Sequence, residues 1–275
     1  YLMIMEAKFN KKLFVKNLEK NLKKLKINNC KNLFITSDLN SLMRLKMPDN
    51  LKLKLIVETI KKTMGKNYTI YVPTSNLDLI KSKKIFDLKN TKSEMGPLSE
   101  YIRNQNSVRS LHPYWSVSGI GAKKNLLRNI SPHAYGFKSP WSVMLENDFT
   151  QLNIGRHPSK AITLIHHIET IMGVPYRFTK EFNHKIKIGN KLFKKNFYLS
   201  VIYKKAKIQR KINRNSHFFQ ELKKQKKFNY STNNYGLNMW SFKMKDFFDV
   251  STKYLLNDIY SYLEKKPNLK TVHNN

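Results

Sequence analysis

The chain has 275 residues, of which 40% are hydrophobic and 12% aromatic, a composition typical of a globular protein with a substantial core. Its formal net charge of +34 first suggests a nucleic acid or an anionic membrane surface as the partner. However, only eight of the 52 basic residues are arginine, and the lysines are spread along the whole chain. Base readout and bidentate phosphate binding favour arginine, so we interpret the charge as a compositional bias and expect no nucleic-acid partner.

Cysteine content and hydropathy further restrict the class of protein. Cys30 is the only cysteine, which excludes disulfides and cysteine-rich metal sites and is consistent with a reducing compartment. No run of about 18 apolar residues occurs, and Lys8, Lys11 and Lys12 interrupt any apolar signal segment near the beginning of the chain. We therefore expect a soluble cytoplasmic protein without membrane insertion.

The first third of the chain has the pattern of a βαβ unit. Residues 32–36 form a short apolar run typical of a buried strand, and residues 68–72 form another. Between them, residues 51–64 carry apolar side chains at helical spacing and end at Gly65. Two parallel strands joined by a crossover helix are predicted. The polar, lysine-rich residues 75–93 lack periodicity and indicate a loop or lid.

Further helix and strand patterns alternate through the rest of the chain. Helices are predicted over residues 119–129, from Ser139-Pro140, over 160–172 before Gly173, and over 251–265. Strands are predicted over residues 149–154 and 198–203, the second of them antiparallel. In the last helix, the side chains expected to point inward are Leu255, Leu256, Ile259 and Leu263. These patterns predict a three-layer α/β fold, with a mixed central sheet, helices on both faces and a smaller antiparallel C-terminal part.

The segment from Thr163 to Glu169 carries the residue types of an acid–base site. Residues three apart lie on one face of a helix, so Thr163, His166 and Glu169 form a stripe while His167 points about 100° away. A histidine beside a carboxylate suits a general base with an orienting acid. A metal site that also uses His157 is an alternative, but the spacing His-Glu-x-x-His is absent and we expect no metal.

Five sequence blocks occur in an order that is more specific than any one of them. They are Leu33-Phe-Ile-Thr-Ser37-Asp38-Leu39, Tyr68-Thr-Ile-Tyr-Val72-Pro73-Thr74, Arg109-Ser110-Leu-His112-Pro113-Tyr-Trp-Ser116, Gly136-Phe-Lys-Ser139-Pro140 and Thr163-Leu-Ile-His166-His-Ile-Glu169. In this order the blocks closely resemble the aminoglycoside 3-N-acetyltransferase family. The resemblance covers about residues 32–184 and leaves a basic C-terminal part at 185–275. It implies one acetyltransferase domain over residues 1–275 that does not have the GNAT fold.

The resemblance also implies a reaction. An acetyl group would pass directly from acetyl-CoA to an amine of an aminoglycoside or related amino sugar, with His166 as the general base. Glu169 is the first candidate for the acid that orients His166, and Glu181 is the second. Relatives tend to carry another acid about thirty residues beyond the histidine, where this chain has none. His112 is the second residue placed in the catalytic region, although it could instead satisfy backbone groups of its own turn.

Contacts to the coenzyme are implied for a set of hydroxyl-bearing, charged and loop residues. They are Ser37, Asp38, Leu39, Arg109, Ser110, Ser116 and Thr163. Two of them have structural alternatives. Arg109 could form a buried ion pair with Glu100 instead of contacting a coenzyme phosphate, and Thr163 could cap its own helix instead of contacting the thioester.

The acceptor and the oligomeric state remain open at this level. A pocket for polycationic aminoglycosides should be acidic, whereas the chain has only 18 acidic residues. An amino sugar of a surface polysaccharide or of a nucleotide-linked precursor is therefore an alternative acceptor, and residues 75–93 are expected to border its site. The alternative function is a noncatalytic basic protein that binds RNA or an anionic glycan. We expect a monomer or a dimer.

Overall fold

A seven-stranded mixed sheet forms the centre of the structure, a computed structural model that describes residues 10–43, 47–160, 162–204, 208, 216–233 and 237–269. In chain order the described strands are β1 (Asn32–Ser37), β2 (Thr69–Pro73), β3 (Phe86–Asp87), β4 (Val108–Arg109), β5 (Val117–Gly121), β6 (Thr150–Ile154), β7 (Arg177–Ile188), β8 (Lys191–Ile202), β9 (Asn229–Thr232) and β10 (Asn238–Lys243). The central sheet has the order β4-β5-β2-β1-β6-β10-β9. Strand β1 pairs in parallel with β2 and β6, and the outer pairings are antiparallel.

Helices cover both faces of this sheet. In chain order they are α1 (Lys11–Lys24), α2 (Asn40–Met43), α3 (Asp49–Met64), α4 (Leu79–Ser82), α5 (Pro97–Arg103), α6 (Pro140–Glu146), α7 (Leu164–Ile171), α8 (Ser216–Lys224) and α9 (Met244–Asn257). Helix α3 connects β1 to β2, which confirms the predicted parallel βαβ unit.

The central strands are buried on both sides because each face contributes to a separate hydrophobic core. Leu33 and Ile35 of β1 pack into a core with residues of α1, α3 and α5. Phe34, which points to the opposite face, packs into a second core with residues of α6, α7, α8 and α9. Alternation of this kind over an apolar run is typical of interior strands. The predicted three-layer α/β fold with a mixed sheet is confirmed.

The antiparallel strands of the C-terminal part are divided between two sheets. Strands β9 and β10 extend the central sheet beyond β6, while β7 and β8 form a long hairpin that belongs to a second sheet of order β3-β7-β8. Phe86 of β3 is fully buried opposite Ile186 of β7. The segment 75–93 was predicted as a loop, but it contains α4 and β3. Phe86 anchors β3 to the hairpin.

Three predicted helices have different bounds in the structure. Residues 117–121 form β5, not the beginning of a helix, because Gly119 allows the Tyr71 ring to lie where a Cβ would be 2.5 Å from it. Helix α7 begins only at Leu164, and Ala161 lies outside the described residues. Helix α9 begins at Met244 and ends at Asn257, so the prediction for residues 251–265 was misplaced. Leu256 is 72% exposed and does not point inward.

Among the described residues, no helix has both the length and the apolar character needed to span a membrane. Lys8 lies outside the described residues.

Candidate active site

A cavity of about 530 Å³ opens at the carboxyl ends of β1 and β2, next to the amino end of α7. Strand β1 lies between its two parallel neighbours here, and α/β sheets commonly bind ligands at such a point. The wall includes six of the residues predicted from the sequence, namely Ser37, Asp38, Leu39, Ser116, Thr163 and His166. Sequence positions up to 129 residues apart therefore meet at one surface.

The loop after β1 is held in place by its backbone. The Asp38 N–H donates to the carbonyl of Ile154 at 2.7 Å. Gly155 has a φ of +80°, and a Cβ at this position would lie 1.8 Å from the Asp38 carbonyl oxygen. Only glycine allows the two loops to approach this closely. This contact positions Ser37 and Asp38 at the cavity wall.

Helix α7 brings Thr163 and His166 to the same wall. Thr163 stands at the N-cap position, but its side chain makes no capping hydrogen bond to the helix. The His166 side chain is 17% exposed, and its ring is edge-to-face with the ring of Tyr135 at a centroid distance of 5.8 Å. His167 points away into the protein, where its Nδ1 accepts from the Gly136 N–H at 3.1 Å. The predicted separation of the two histidines is thus present.

Glu169 lies behind His166, away from the cavity surface. Its side chain is fully buried, with Oε2 3.2 Å from His166 Nδ1 and Oε1 accepting from the Tyr176 hydroxyl at 2.7 Å. Burial acts to raise the pKa of Glu169, but the contact with the His166 ring and the positive charge of Arg177 hold that pKa below its ordinary value. The carboxylate is therefore ionised near neutral pH.

Arg177, to which the sequence patterns assigned no function, completes this cluster. Its Nε and Nη2 lie 2.8 and 2.7 Å from Glu169 Oε2, and Nη2 is also 2.8 Å from His166 Nδ1. Glu181, the alternative orienting acid, is exposed on the hairpin and pairs in register with Tyr198. The sequence places Arg177 shortly after Gly173, just beyond the histidine helix, and this position alone did not indicate a function.

Arg109 lies just behind the cavity wall and forms a hydrogen-bond network with the wall residue Ser116. The Arg109 guanidinium donates to Ser116 Oγ at 2.9 Å and to the carbonyl oxygens of Thr91 and Thr74. Ser116 Oγ donates in turn to the Thr74 carbonyl at 2.8 Å. Glu100 forms its ion pair with Arg103, at 2.6 Å, and not with Arg109. The guanidinium of Arg109 thus joins three chain segments beneath the cavity.

Ser110 and His112 do not reach the cavity. Ser110 is fully buried and accepts from the Val117 N–H at 2.9 Å. His112 is also fully buried, accepts from the Trp115 N–H at 3.1 Å and packs edge-on against Phe197. Burial lowers the pKa of His112 to about 3, so its ring is neutral at physiological pH.

Several other residues of the wall were given no role from the sequence patterns. They are aromatic or basic side chains from distant segments: Trp115, Trp141, Tyr262, Arg156 and Lys160. Glu94, one of the acidic residues that could contact an amine acceptor, also lines the wall. Because their side chains converge only through the fold, residue spacing could not identify them. Within the described parts of the chain, no three or more His, Cys, Asp or Glu side chains are arranged to hold a metal ion.

Comparison with solved structures shows the same fold in three proteins. YokD from Bacillus subtilis is 17% identical, with a TM-score of 0.70 over 89% of this chain and 99% of its own. AAC-IIIb, solved as a binary complex with CoASH, is 14% identical, with a TM-score of 0.74 over 92% and 98%. AAC-VIa bound to sisomicin is 16% identical, with a TM-score of 0.73 over 90% and 98%. No curated protein sequence matches the chain.

The sequence comparison extends over most of the chain. The model of a family described as aminoglycoside 3-N-acetyltransferase matches residues 35–256, a range that includes the whole His166 cluster and every residue of the cavity wall except Tyr262. The chain belongs to the aminoglycoside 3-N-acetyltransferase family, whose members are acetyl-CoA-dependent N-acetyltransferases.

Proposed function

We propose that this protein transfers the acetyl group of acetyl-CoA directly to an amine of an aminoglycoside or related amino sugar, with His166 as the general base. The observation that carries the proposal is the His166 imidazole at the cavity wall, backed by the buried, ionised Glu169 at 3.2 Å. A carboxylate in this position stabilises the imidazolium that forms when the ring accepts a proton.

The cavity wall suits the coenzyme's pantetheine arm. A volume of about 530 Å³ is within the range of small-molecule sites, about 300–1,000 Å³. The wall that includes His166 combines the hydroxyls of Ser37 and Thr163 with the indoles of Trp115 and Trp141. Such a surface can hold a largely uncharged arm that carries amides. When bound, acetyl-CoA supplies the acetyl group as a thioester, and Thr163 is positioned at the wall to donate to its oxygen.

His166 takes the proton that the acceptor's ammonium must lose before its nitrogen lone pair can attack. The N–C bond then forms as the C–S bond breaks, and the coenzyme leaves as a thiolate. The nitrogen loses a second proton as it becomes an amide, protonation of the thiolate gives the coenzyme A thiol, and no acetyl-enzyme is needed. Ser116 supports this direct route, because its fully buried hydroxyl already donates to the Thr74 carbonyl and accepts from Arg109. A hydroxyl engaged in this way is not an activated nucleophile.

The charged residues of the wall affect which class of acceptor can bind. Its described residues include two carboxylates, Asp38 and Glu94, and two cations, Arg156 and Lys160. A polycationic aminoglycoside would meet both signs of charge. An amino sugar that also carries a phosphate would find a partner for each of its charges. The acceptor panel should therefore include both kinds of amine.

Release of the coenzyme A thiol tests the proposal. Purified wild type and His166→Gln would be assayed with acetyl-CoA and with kanamycin, gentamicin, glucosamine or a nucleotide-linked amino sugar. We expect amine-dependent release that falls about 10²–10⁴-fold in His166→Gln, the usual contribution of a general base. His133→Gln, the same change at an exposed histidine outside the wall, is the matched control and should keep wild-type activity.

Two results would contradict the proposal. One is a folded protein that binds no acetyl-CoA. The other is thiol release that persists in His166→Gln. Retention on RNA that falls steeply with salt and ignores His166→Gln would favour the noncatalytic alternative.

A further inference from the structure

Arg177 approaches the His166–Glu169 pair from outside helix α7. It is the first residue of β7, and its side chain is 6% exposed. Its Nη1 donates to the Ser200 carbonyl on β8 at 2.9 Å, while Nε lies 2.8 Å from Glu169 Oε2. The hairpin and the buried carboxylate therefore hold the guanidinium in one orientation.

In this orientation Arg177 and Glu169 compete for one atom. His166 Nδ1 lies 2.8 Å from Arg177 Nη2 and 3.2 Å from Glu169 Oε2. A guanidinium has no acceptor atom, so its contact requires a lone pair on Nδ1. An ionised carboxylate has no proton, so its contact requires Nδ1–H. A single nitrogen cannot satisfy both contacts at once, and the contact with Arg177 is the shorter.

The two contacts select opposite tautomers of the neutral ring. When Nδ1 accepts from Arg177, the ring proton is on Nε2, which then has no lone pair with which to take a proton from an amine. When Nδ1 donates to Glu169, Nε2 carries the lone pair and can act as a base. We propose that Arg177 is a positioning residue that holds His166 in the Nε2–H tautomer and so sets how much of the ring is competent as a base.

This inference rests on the proposed role of His166 as the base, and it adds a control on that role. A cation beside an imidazole also disfavours imidazolium, so Arg177 opposes the stabilisation that Glu169 provides. On its own helix His166 faces Glu169, and on β7 it faces Arg177, with Tyr176 one contact further away. The ionisable groups that share its cavity wall are Asp38, Glu94, Arg156, Lys160 and Tyr262.

Nitrogen NMR of the protein labelled with ¹⁵N-histidine reads the tautomer directly and needs no turnover. The His166 signals are identified by their absence from the His166→Gln spectrum. In the free wild type at pH 8 we expect Nδ1 to be predominantly unprotonated and Nε2 protonated. In Arg177→Met, which removes both donor and charge, we expect Nδ1 to become protonated. Arg128→Met, the same change at an exposed arginine outside the cavity, should leave the His166 signals unchanged.

The wild-type spectrum alone can overturn the inference. A predominantly protonated Nδ1, or equal populations of the two tautomers, would contradict it even if Arg177→Met failed to fold. An unchanged His166 spectrum in a folded Arg177→Met protein would contradict it as well. Because the NMR measurement does not depend on acetyl transfer, its outcome is separate from that of the thiol-release assay.

The pH dependence of kcat/KM supplies the kinetic test. Without the positive charge of Arg177 the imidazolium is favoured, so the acidic midpoint of the profile should move to higher pH in Arg177→Met, by roughly one unit. Arg177→Lys retains the charge and should keep the wild-type midpoint. A purely structural role would lower kcat in both variants with the midpoint unchanged, and that result would overturn the inference.

Discussion

Two regions contain the same kinds of polar side chain in different surroundings. One is the cluster of His166, Glu169 and Arg177, called the α7 cluster below, and the other is the loop of residues 109–116. In the α7 cluster, the His166 ring reaches the cavity and is backed by the ionised Glu169 and by Arg177. In the loop, His112 is fully buried and neutral, and Arg109 donates to the protein's own carbonyl groups. The same residue types therefore have different surroundings in the two motifs, one at the cavity and the other in the protein interior.

The difference lies in which polar atoms remain directed at the cavity. The donors of Arg109 hold the end of β2 at Thr74, the segment at Thr91 and the wall residue Ser116 together. This network supports the wall from behind. In the α7 cluster, charges of opposite sign are concentrated around one imidazole, an arrangement that can change a protonation state.

The largest effect on stability should come from breaking the buried ion pair of the α7 cluster. Glu169→Gln leaves the Arg177 charge buried without its carboxylate, and we expect a loss of about 3–5 kcal/mol in the free energy of unfolding. Urea denaturation measures this loss. Glu94→Gln, a change at an exposed carboxylate, is the control and should have little effect. An equal loss in both variants would show that the buried ion pair of Glu169 and Arg177 stabilises the fold no more than an exposed carboxylate does.

A smaller loss is expected in the loop. Arg109→Met removes the donors to the carbonyls of Thr74 and Thr91, which should cost about 2–3 kcal/mol of unfolding free energy. Because the Arg109 guanidinium donates its hydrogen bonds to acceptors within the protein, the KM for acetyl-CoA should not change at a temperature where the variant is folded. A raised KM with unchanged stability would instead indicate that Arg109 contacts the coenzyme and that the two regions are functionally alike.

Acid should destabilise the protein through its buried neutral histidines. Burial lowers the pKa of His112 to about 3 and of His167 to about 4, whereas an unfolded chain titrates near 6.5. Below about pH 6.5 the unfolded state therefore binds more protons than the folded state. The free energy of unfolding should decrease as the pH is lowered from about 6.5 to about 4. In this window His112→Gln should flatten the slope of unfolding free energy against pH by up to about 1.4 kcal/mol per pH unit.

Chemical denaturation at a series of pH values provides the measurement. His133→Gln, at an exposed position, should keep the wild-type slope. If His112→Gln kept that slope too, then His112 would titrate in the folded protein and would differ less from His166 than its burial indicates.

The smallest effect is expected at the alternative orienting acid. Glu181 is exposed and lies on the hairpin beside Tyr198, so Glu181→Gln should change the unfolding free energy by less than about 0.5 kcal/mol. Acetyl transfer should also be unchanged. A large fall in kcat would favour Glu181 over Glu169 as the acid that orients His166 and would weaken the distinction between the two regions.

The sequence patterns located β1, β2, α3 and β6 because an apolar run or a helical period is a local property. They also predicted that His166 and Glu169 lie on one face of a helix, and in α7 these two side chains are in contact. They did not indicate the 12-residue strand β7, because the lysines on its exposed face obscure its apolar positions. They also missed the strand β5, because Gly119 was interpreted as a site of helix packing.

By itself the sequence determined the family, the three-layer fold and the candidate base, because ordered motifs and periodicity are read along the chain. Only the tertiary structure decided which polar groups face the cavity. It buried His112, engaged Arg109 with backbone carbonyls and brought Arg177 from β7 to within 2.8 Å of His166 Nδ1. Burial and hydrogen-bond partners arise from contacts between segments that are distant in the sequence, so no local spacing contains them.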